Sequence, residues 1–190
     1  MTESAADDPT NGATDDVHRG LPDAGGVTAL PGRSDYYLAL AFAAARRANC
    51  RGRRVGAILV KGDRVIATGY NGTPEGLPNC LDGGCLRCAD RARFASGTDY
   101  DLCICVHAES NALLTAGRFG ASTDATTVYT TDQPCFACSK ELIQAGVVKV
   151  YYARTWAPDP RVADDYQRLQ RRLDAEHVPI DYEIVSVPPA

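Results

Sequence analysis

The 190-residue sequence predicts an α/β fold, a three-layer α/β/α sandwich with a mixed five-stranded sheet. Three observations predict it. Segments with helical apolar spacing alternate with short β-rich runs, in the order α-β-β-α-β-α-β-α-β. Hydrophobic residues make up 45% and charged residues 23% of the chain, the balance of a globular domain. The long internal stretch without periodicity, 71–105, is rich in cysteine, so a structureless loop of that length has something to staple it.

Residues 1–33 hold six acids and two bases among Asp, Ala, Gly, Thr and Pro, with no apolar period. They read as a disordered acidic leader. A domain over 34–187 follows, with 188–190 as a tail. Ser34 is a plausible N-cap for a helix over 35–49, where Ala and Leu recur at i, i+3 and i+4. Two strands, 55–60 and 64–70, flank a Gly-Asp turn. After the cysteine-rich loop, 107–117 reads as a helix with Ala112, Leu113 and Leu114 on its buried side. A strand over 126–131 leads to a helix over 135–145, stopped by Gly146. Residues 147–153 are nearly all apolar, as a buried central strand requires. A helix over 161–176 and a strand over 180–187 complete the order.

Charge and length exclude several classes of function. The net charge is -4, but residues 34–190 carry 18 acids and 18 bases. A neutral domain is a poor match for long nucleic acid and allows a small anionic metabolite held by local Arg residues. No run of about 18 apolar residues exists to span a membrane, and the N-terminus lacks the basic and apolar regions of a secretory signal. A cytoplasmic protein without a membrane partner is expected. In that reducing setting eight cysteines read as metal ligands in preference to disulfides.

The chemistry concentrates in His107-Ala108-Glu109 and Pro134-Cys135-Phe136-Ala137-Cys138, each opening a predicted helix. Cys135 and Cys138, three apart on a first turn, point the same way. Helix N-termini favour thiolate and so aid metal capture. One His and two Cys give zinc three protein ligands and leave the fourth position for water, the arrangement of a catalytic site. Two thiolates already neutralise Zn²⁺, so a nearby base is needed, and Glu109 is placed as proton shuttle and not as ligand. The alternative is a closed structural zinc site with a fourth cysteine. It explains neither Glu109 nor the two helix starts.

His-x-Glu followed by Pro-Cys-x-x-Cys is the signature of the zinc-dependent nucleobase deaminases. With ATGYNGTPEGLPNC at 67–80, HAESNALL at 107–114 and TTVYTTDQPCFACSKELIQAGVVKVYY at 126–152, the sequence resembles the deoxycytidylate (dCMP) deaminase family over about residues 34–183. The resemblance implies a cytidine-deaminase-like sandwich and hydrolysis of dCMP to dUMP and ammonia, supplying dUMP for thymidylate synthesis. His107, Cys135 and Cys138 would hold the catalytic zinc. Glu109 would move a proton from water to ring N3, and then one to the leaving amine. The backbone at Ala108 would meet the pyrimidine edge, and Asn71 would face sugar or phosphate. Trp156 would lie against the base, with ordinary core packing as the equal alternative. Arg118 resembles a family position at a subunit interface near the substrate.

The resemblance further implies a second, structural zinc. Cys50, Cys80, Cys85 and Cys103 are the expected ligands, with Cys88 and Cys105 in reserve and buried free thiols as the alternative. It implies a homo-oligomer, in many relatives a hexamer, activated by dCTP with Mg²⁺ and inhibited by dTTP. Arg46, Arg47, Arg51, Arg53 and Arg54 read as a solvated basic face at a helix end, with phosphate binding as the alternative. His18 and His177 read as surface residues. Two other functions remain open: deamination of a modified or specialised cytosine nucleotide or nucleoside, and a zinc-stabilised binding module without turnover, which has no need of Glu109.

Overall fold

The computed structural model describes residues 31–94 and 102–179. The leader up to residue 30, the expected strand at 180–187 and the tail lie outside those residues. The described elements are α1 (Arg33–Ala45), β1 (Gly56–Lys61), β2 (Arg64–Tyr70), α2 (Leu86–Ala89), α3 (Ala108–Arg118), β3 (Thr127–Asp132), α4 (Phe136–Gln144), β4 (Lys149–Arg154), α5 (Ala163–Arg172) and β5 (Glu176–His177). The strands form one mixed sheet in the order β2-β1-β3-β4-β5. β1 runs antiparallel to both β2 and β3, whereas β4 runs parallel to both β3 and β5.

Strand alternation builds the three layers. Ile58 and Val60 of β1, Tyr129 of β3 and Tyr151 of β4 face one side and pack with Tyr37, Leu38 and Ala41 of α1. There the rings of Tyr37, Tyr129 and Tyr151 form a ladder with centroids 4.8 and 4.9 Å apart. The intervening residues Ala57, Leu59, Val128, Val150 and Tyr152 face the other side and meet Ala108, Ala112 and Ala116 of α3 and Leu142 of α4. β4 is bordered on both edges and covered on both faces, which accounts for its apolar composition.

Small residues on α3 let it lie close to the sheet. A Cβ at Gly69 of β2 would stand 2.1 Å from the Ala108 carbonyl oxygen and 2.5 Å from the Ala112 nitrogen, so only glycine admits the first turn of α3 at this depth. Asn111 adds a hydrogen bond from Nδ2 to the Tyr70 carbonyl at 2.9 Å. At the other end of the site, α4 stops at Gly146 (φ 81°). The Val147 amide donates to Leu142 and the Gly146 amide to Ile143, both at 3.0 Å, a Schellman closure that turns the chain into β4.

Four expectations are corrected. Leu114 is 63% exposed and not on the buried side of α3: the 3.6-residue period puts Ala108, Ala112 and Ala116 against the sheet and turns Leu114 outward. Ser34 is not the N-cap: α1 begins at Arg33 with Gly32 capping it through backbone alone. The same helix ends at Ala45 and not at 49, because the amides of residues 46–48 bond three residues back and tighten the chain into a turn that delivers Asn49 and Cys50 to the loop region. α5 ends at Arg172. Asp174 takes φ 47°, and its carboxylate and that of Glu176 pair with Lys149 of β4 at 3.2 and 2.5 Å. The chain there leaves the helix and forms β5 where helix was expected.

The 71–105 segment is not structureless where described. Cys80–Asp82 is a 3-10 turn, α2 is a single short helix, and Gly72 pairs with Val106 in an isolated bridge. All six cysteines from 50 to 105 pack into one cluster against it. Gly69→Ala is expected to destabilise the fold by about 1–3 kcal/mol, the usual range for forcing an atom into a filled interior. A urea-denaturation midpoint unchanged from wild type would contradict the close approach of β2 and α3.

Candidate active site

Two helices begin at the same place, at the carboxyl end of β3. His107 is the N-cap of α3 and Cys135 the N-cap of α4, both in extended backbone conformation. An N-cap side chain leans back over the first turn, where unpartnered N–H groups gather. Cys135 uses this directly, its sulfur accepting the Cys138 amide at 3.5 Å. Cys138, one turn on, adds the second thiol, which its hydrogen bond to Cys135 and burial push up while Cys135 carries the lowered one.

His107 Nδ1 lies 3.4 Å from Cys135 Sγ and 3.4 Å from Cys138 Sγ. In a tetrahedron with zinc bonds near 2.0 Å to nitrogen and 2.3 Å to sulfur, that edge is about 3.5 Å. The three donors therefore fit one zinc ion, and Nδ1 is the ring nitrogen that faces it. Hydrogen bonds from Cys138 and His107 pull the Cys135 thiol down to about 4, while the Cys135 sulfur holds the His107 imidazole up at about 9. The hydrogen bond to Cys135 and burial push the Cys138 thiol up in turn, so the two sulfurs share one proton, which a divalent cation would displace.

Glu109 sits on the first turn of α3, buried, with Oε2 accepting from Cys138 Sγ at 3.6 Å. Burial, reinforced by the nearby Cys135 sulfur, pushes its carboxyl up to about 7. A carboxyl poised there both accepts and releases a proton near neutrality. Ala108, the first residue of α3, is wholly buried between the two ligand-bearing turns and the sheet.

The other expected site residues divide. Asn71 is buried beside the site, and its amide ties two backbones together: Oδ1 accepts from the Val55 amide at 2.8 Å, and Nδ2 donates to the Arg53 carbonyl at 2.9 Å. It positions the chain entering β1. Trp156 lies next to the Cys135 loop with its Nε1 donating to the Gln133 carbonyl at 2.8 Å and its ring 5.6 Å from that of Tyr166. Arg118 is at the far end of α3, about 16 Å along the helix from His107, where it pairs with Glu75 at 3.0 Å. Within one chain it is not brought to the metal ligands. Arg51 and Arg53 of the basic cluster are exposed, as the solvated reading has it, and each also has a partner: the first donates to the Leu81 carbonyl at 2.7 Å, the second pairs with Asp132 at 3.0 Å.

Sequence reasoning missed Asp132, Arg154, Gln133 and Tyr166. Asp132 ends β3 almost buried, bonded to Arg53, to Arg154 at 2.5 Å and to the Thr131 hydroxyl at 2.9 Å. Tyr166 of α5 donates to the Pro134 carbonyl. Together they fix the three residues leading into Cys135. An acid ending an apolar strand just before Pro-Cys was a visible signal; its Arg154 partner depends on the β3–β4 register, which pairs the two.

Residues 32–154 match the cytidine and deoxycytidylate deaminase zinc-binding region. The deoxycytidylate deaminase of Schizosaccharomyces pombe is 45% identical over 81% of this chain and 47% of its own length. That of Mycobacterium phage D29 is 40% identical over 65% of this chain and 96% of its own. The crystal structure of dCMP deaminase from the cyanophage S-TIM5, in complex with dCMP and dUMP, superposes with a TM-score of 0.61 at 32% identity, covering 79% of this chain and 99% of that one. The chain spans about half the length, or less, of the yeast relatives it matches. On the zinc-ligand geometry, the buried glutamate and these likenesses together, the chain belongs to the cytidine and deoxycytidylate deaminase family.

Proposed function

We propose that this chain hydrolyses dCMP to dUMP and ammonia. The observation that carries the reading is the buried Glu109 carboxyl beside a three-donor metal site. The substrate class is supported by the relatives' deoxycytidylate deaminase activity and by the dCMP and dUMP held in the cyanophage structure. His107, Cys135 and Cys138 would hold Zn²⁺, which would supply Lewis acidity and acidify the attacking water. Glu109 takes a proton from the attacking water and delivers it to ring N3 as the new C4–O bond forms. It then carries the second proton of that water to the amino group, the C4–N bond breaks, and ammonia leaves with its electron pair. Burial of Glu109 keeps these protons from bulk solvent, and the positive helix ends at the site favour the developing negative charge.

The finer parts of the proposal each have a support. Metal in the cysteine cluster is supported by six clustered sulfurs in three mutually close triads. A nucleotide effector with Mg²⁺ is supported by a cavity of about 580 Å³ beside the GYNG loop, lined by Thr73, Glu75, Asn111 and Arg118, a volume that suits a nucleotide. Assembly into a homo-oligomer is supported by apolar surface on and just after α3, where Leu114 is 63% and Phe119 80% exposed. A reducing, cytoplasmic location is supported by eight free cysteines. No described helix is long and apolar enough to cross a membrane.

Glu109→Gln is expected to keep its zinc and lose turnover by at least about 100-fold; wild-type rates would remove the shuttle. Metal analysis of Cys135→Ser is expected to show one zinc equivalent fewer than wild type. Ammonia release measured against dCMP, CMP, deoxycytidine, cytosine and dCTP is expected to be fastest with dCMP. Preference for another member of the panel would reassign the substrate.

A further inference from the structure

Ser110 stands on the first turn of α3, half-buried, next to the shuttle Glu109. Its hydroxyl reaches α4 at two points. It lies 3.7 Å from Cys138 Sγ, and it donates to the carboxylate of Glu141, which is exposed three residues further along the same helix. We propose that Ser110 is a positioning residue for the active-site metal: once the metal displaces the Cys138 proton, the Ser110 hydroxyl turns from Glu141 to the Cys138 sulfur and takes up part of its charge. The inference rests on the reading that His107, Cys135 and Cys138 hold zinc, and adds a hydrogen bond to that site.

The two sulfurs of the site differ in their partners. Cys135 Sγ accepts the Cys138 amide at 3.5 Å, a donor that no ionisation removes. Cys138 Sγ meets side chains instead: His107 Nδ1 at 3.4 Å, Glu109 Oε2 at 3.6 Å and Ser110 Oγ. Its own proton goes to Glu109. With metal bound that proton is gone, Nδ1 is itself a ligand, and an ionised Glu109 only accepts. Of these three neighbours, Ser110 is then the one with a proton to give.

A hydroxyl has one proton and two lone pairs, so it donates to one acceptor at a time. Glu141 is exposed, and water replaces the bond it loses. Cys138 is only 2% exposed, and a buried anion without a donor is costly. The proton therefore goes to sulfur. The effect on the metal has a definite sign. Two thiolates already neutralise a divalent ion and blunt its pull on water. A hydrogen bond that draws charge off one sulfur restores part of that pull. Partners of metal ligands act on a site in this way, by about 10–100-fold in affinity or activity.

The test is Co²⁺ substitution in the full chain, where sulfur-to-cobalt charge-transfer absorption reports the charge on thiolate. Subtracting the spectrum of the same chain carrying Cys135→Ser isolates the active-site ion from any held by the other cysteines. In Ser110→Ala the isolated band is expected to move to longer wavelength, with turnover of the zinc form about 10-fold lower and KM unchanged. Ser110→Thr keeps the hydroxyl and is expected to restore both. Glu141→Ala is expected to leave the band where it is, because the proton is already with the sulfur. An unmoved band in Ser110→Ala overturns the hydrogen bond. A move to shorter wavelength in Glu141→Ala overturns the transfer of the proton from the carboxylate. A wild type with no band that depends on Cys135 overturns the metal site itself, and the inference with it, so the two failures are told apart without reference to turnover.

Discussion

Everything in the active site follows from two helices starting within ligand distance of each other. α3 and α4 enter the same end of the sheet, and the residue at each N-cap is one of the three convergent donors proposed to hold the metal. The positive helix ends that would repel one another are stabilised by thiolate sulfur, and the Cys135 thiol there is drawn down to about 4. Glu109 is buried because the first turn of α3 is pressed onto β2, where Gly69 leaves no side chain in the way. Sheet, helix start and proton shuttle are thus one packing problem with one solution.

Around that point the chain spends its polar groups on backbone. Asn71 holds the approach to β1, Tyr166 and Gln133 hold the approach to α4, and Asp132 draws Arg53 and Arg154 together at the end of β3. A catalytic constellation has to be held within about 0.5 Å of its working geometry, and groups whose own contacts are fixed do this best. The cysteine cluster does the same for the long loop. It joins the end of α1 to the residues just before His107, so Cys105 lies two positions from a metal ligand.

What could be read from the sequence was what depends on neighbours along the chain. β2 was placed to the residue and β1 to within one, because alternation and a Gly-Asp turn are local signals. The convergence of His107, Cys135, Cys138 and Glu109 was legible because His-x-Glu and Cys-x-x-Cys at helix starts announce themselves by spacing. The rest needed contacts far apart in sequence. Arg53 and Asp132 are 79 residues apart, and no period connects them. The start of α1 is set by where the chain meets the sheet and not by the better cap at Ser34. Spacing alone was unable to select four of six cysteines, for the physical reason that all six converge.

The single tryptophan turns this arrangement into an optical instrument. Trp156 is half-buried, and both its main-chain and its indole N–H groups donate to Gln133, two residues before Cys135. Indole emission depends on the polarity and hydrogen bonding of its surroundings. The protein therefore carries an intrinsic fluorophore fastened to the hinge of its own ligand loop, and its spectrum follows the seating of Cys135 without a label.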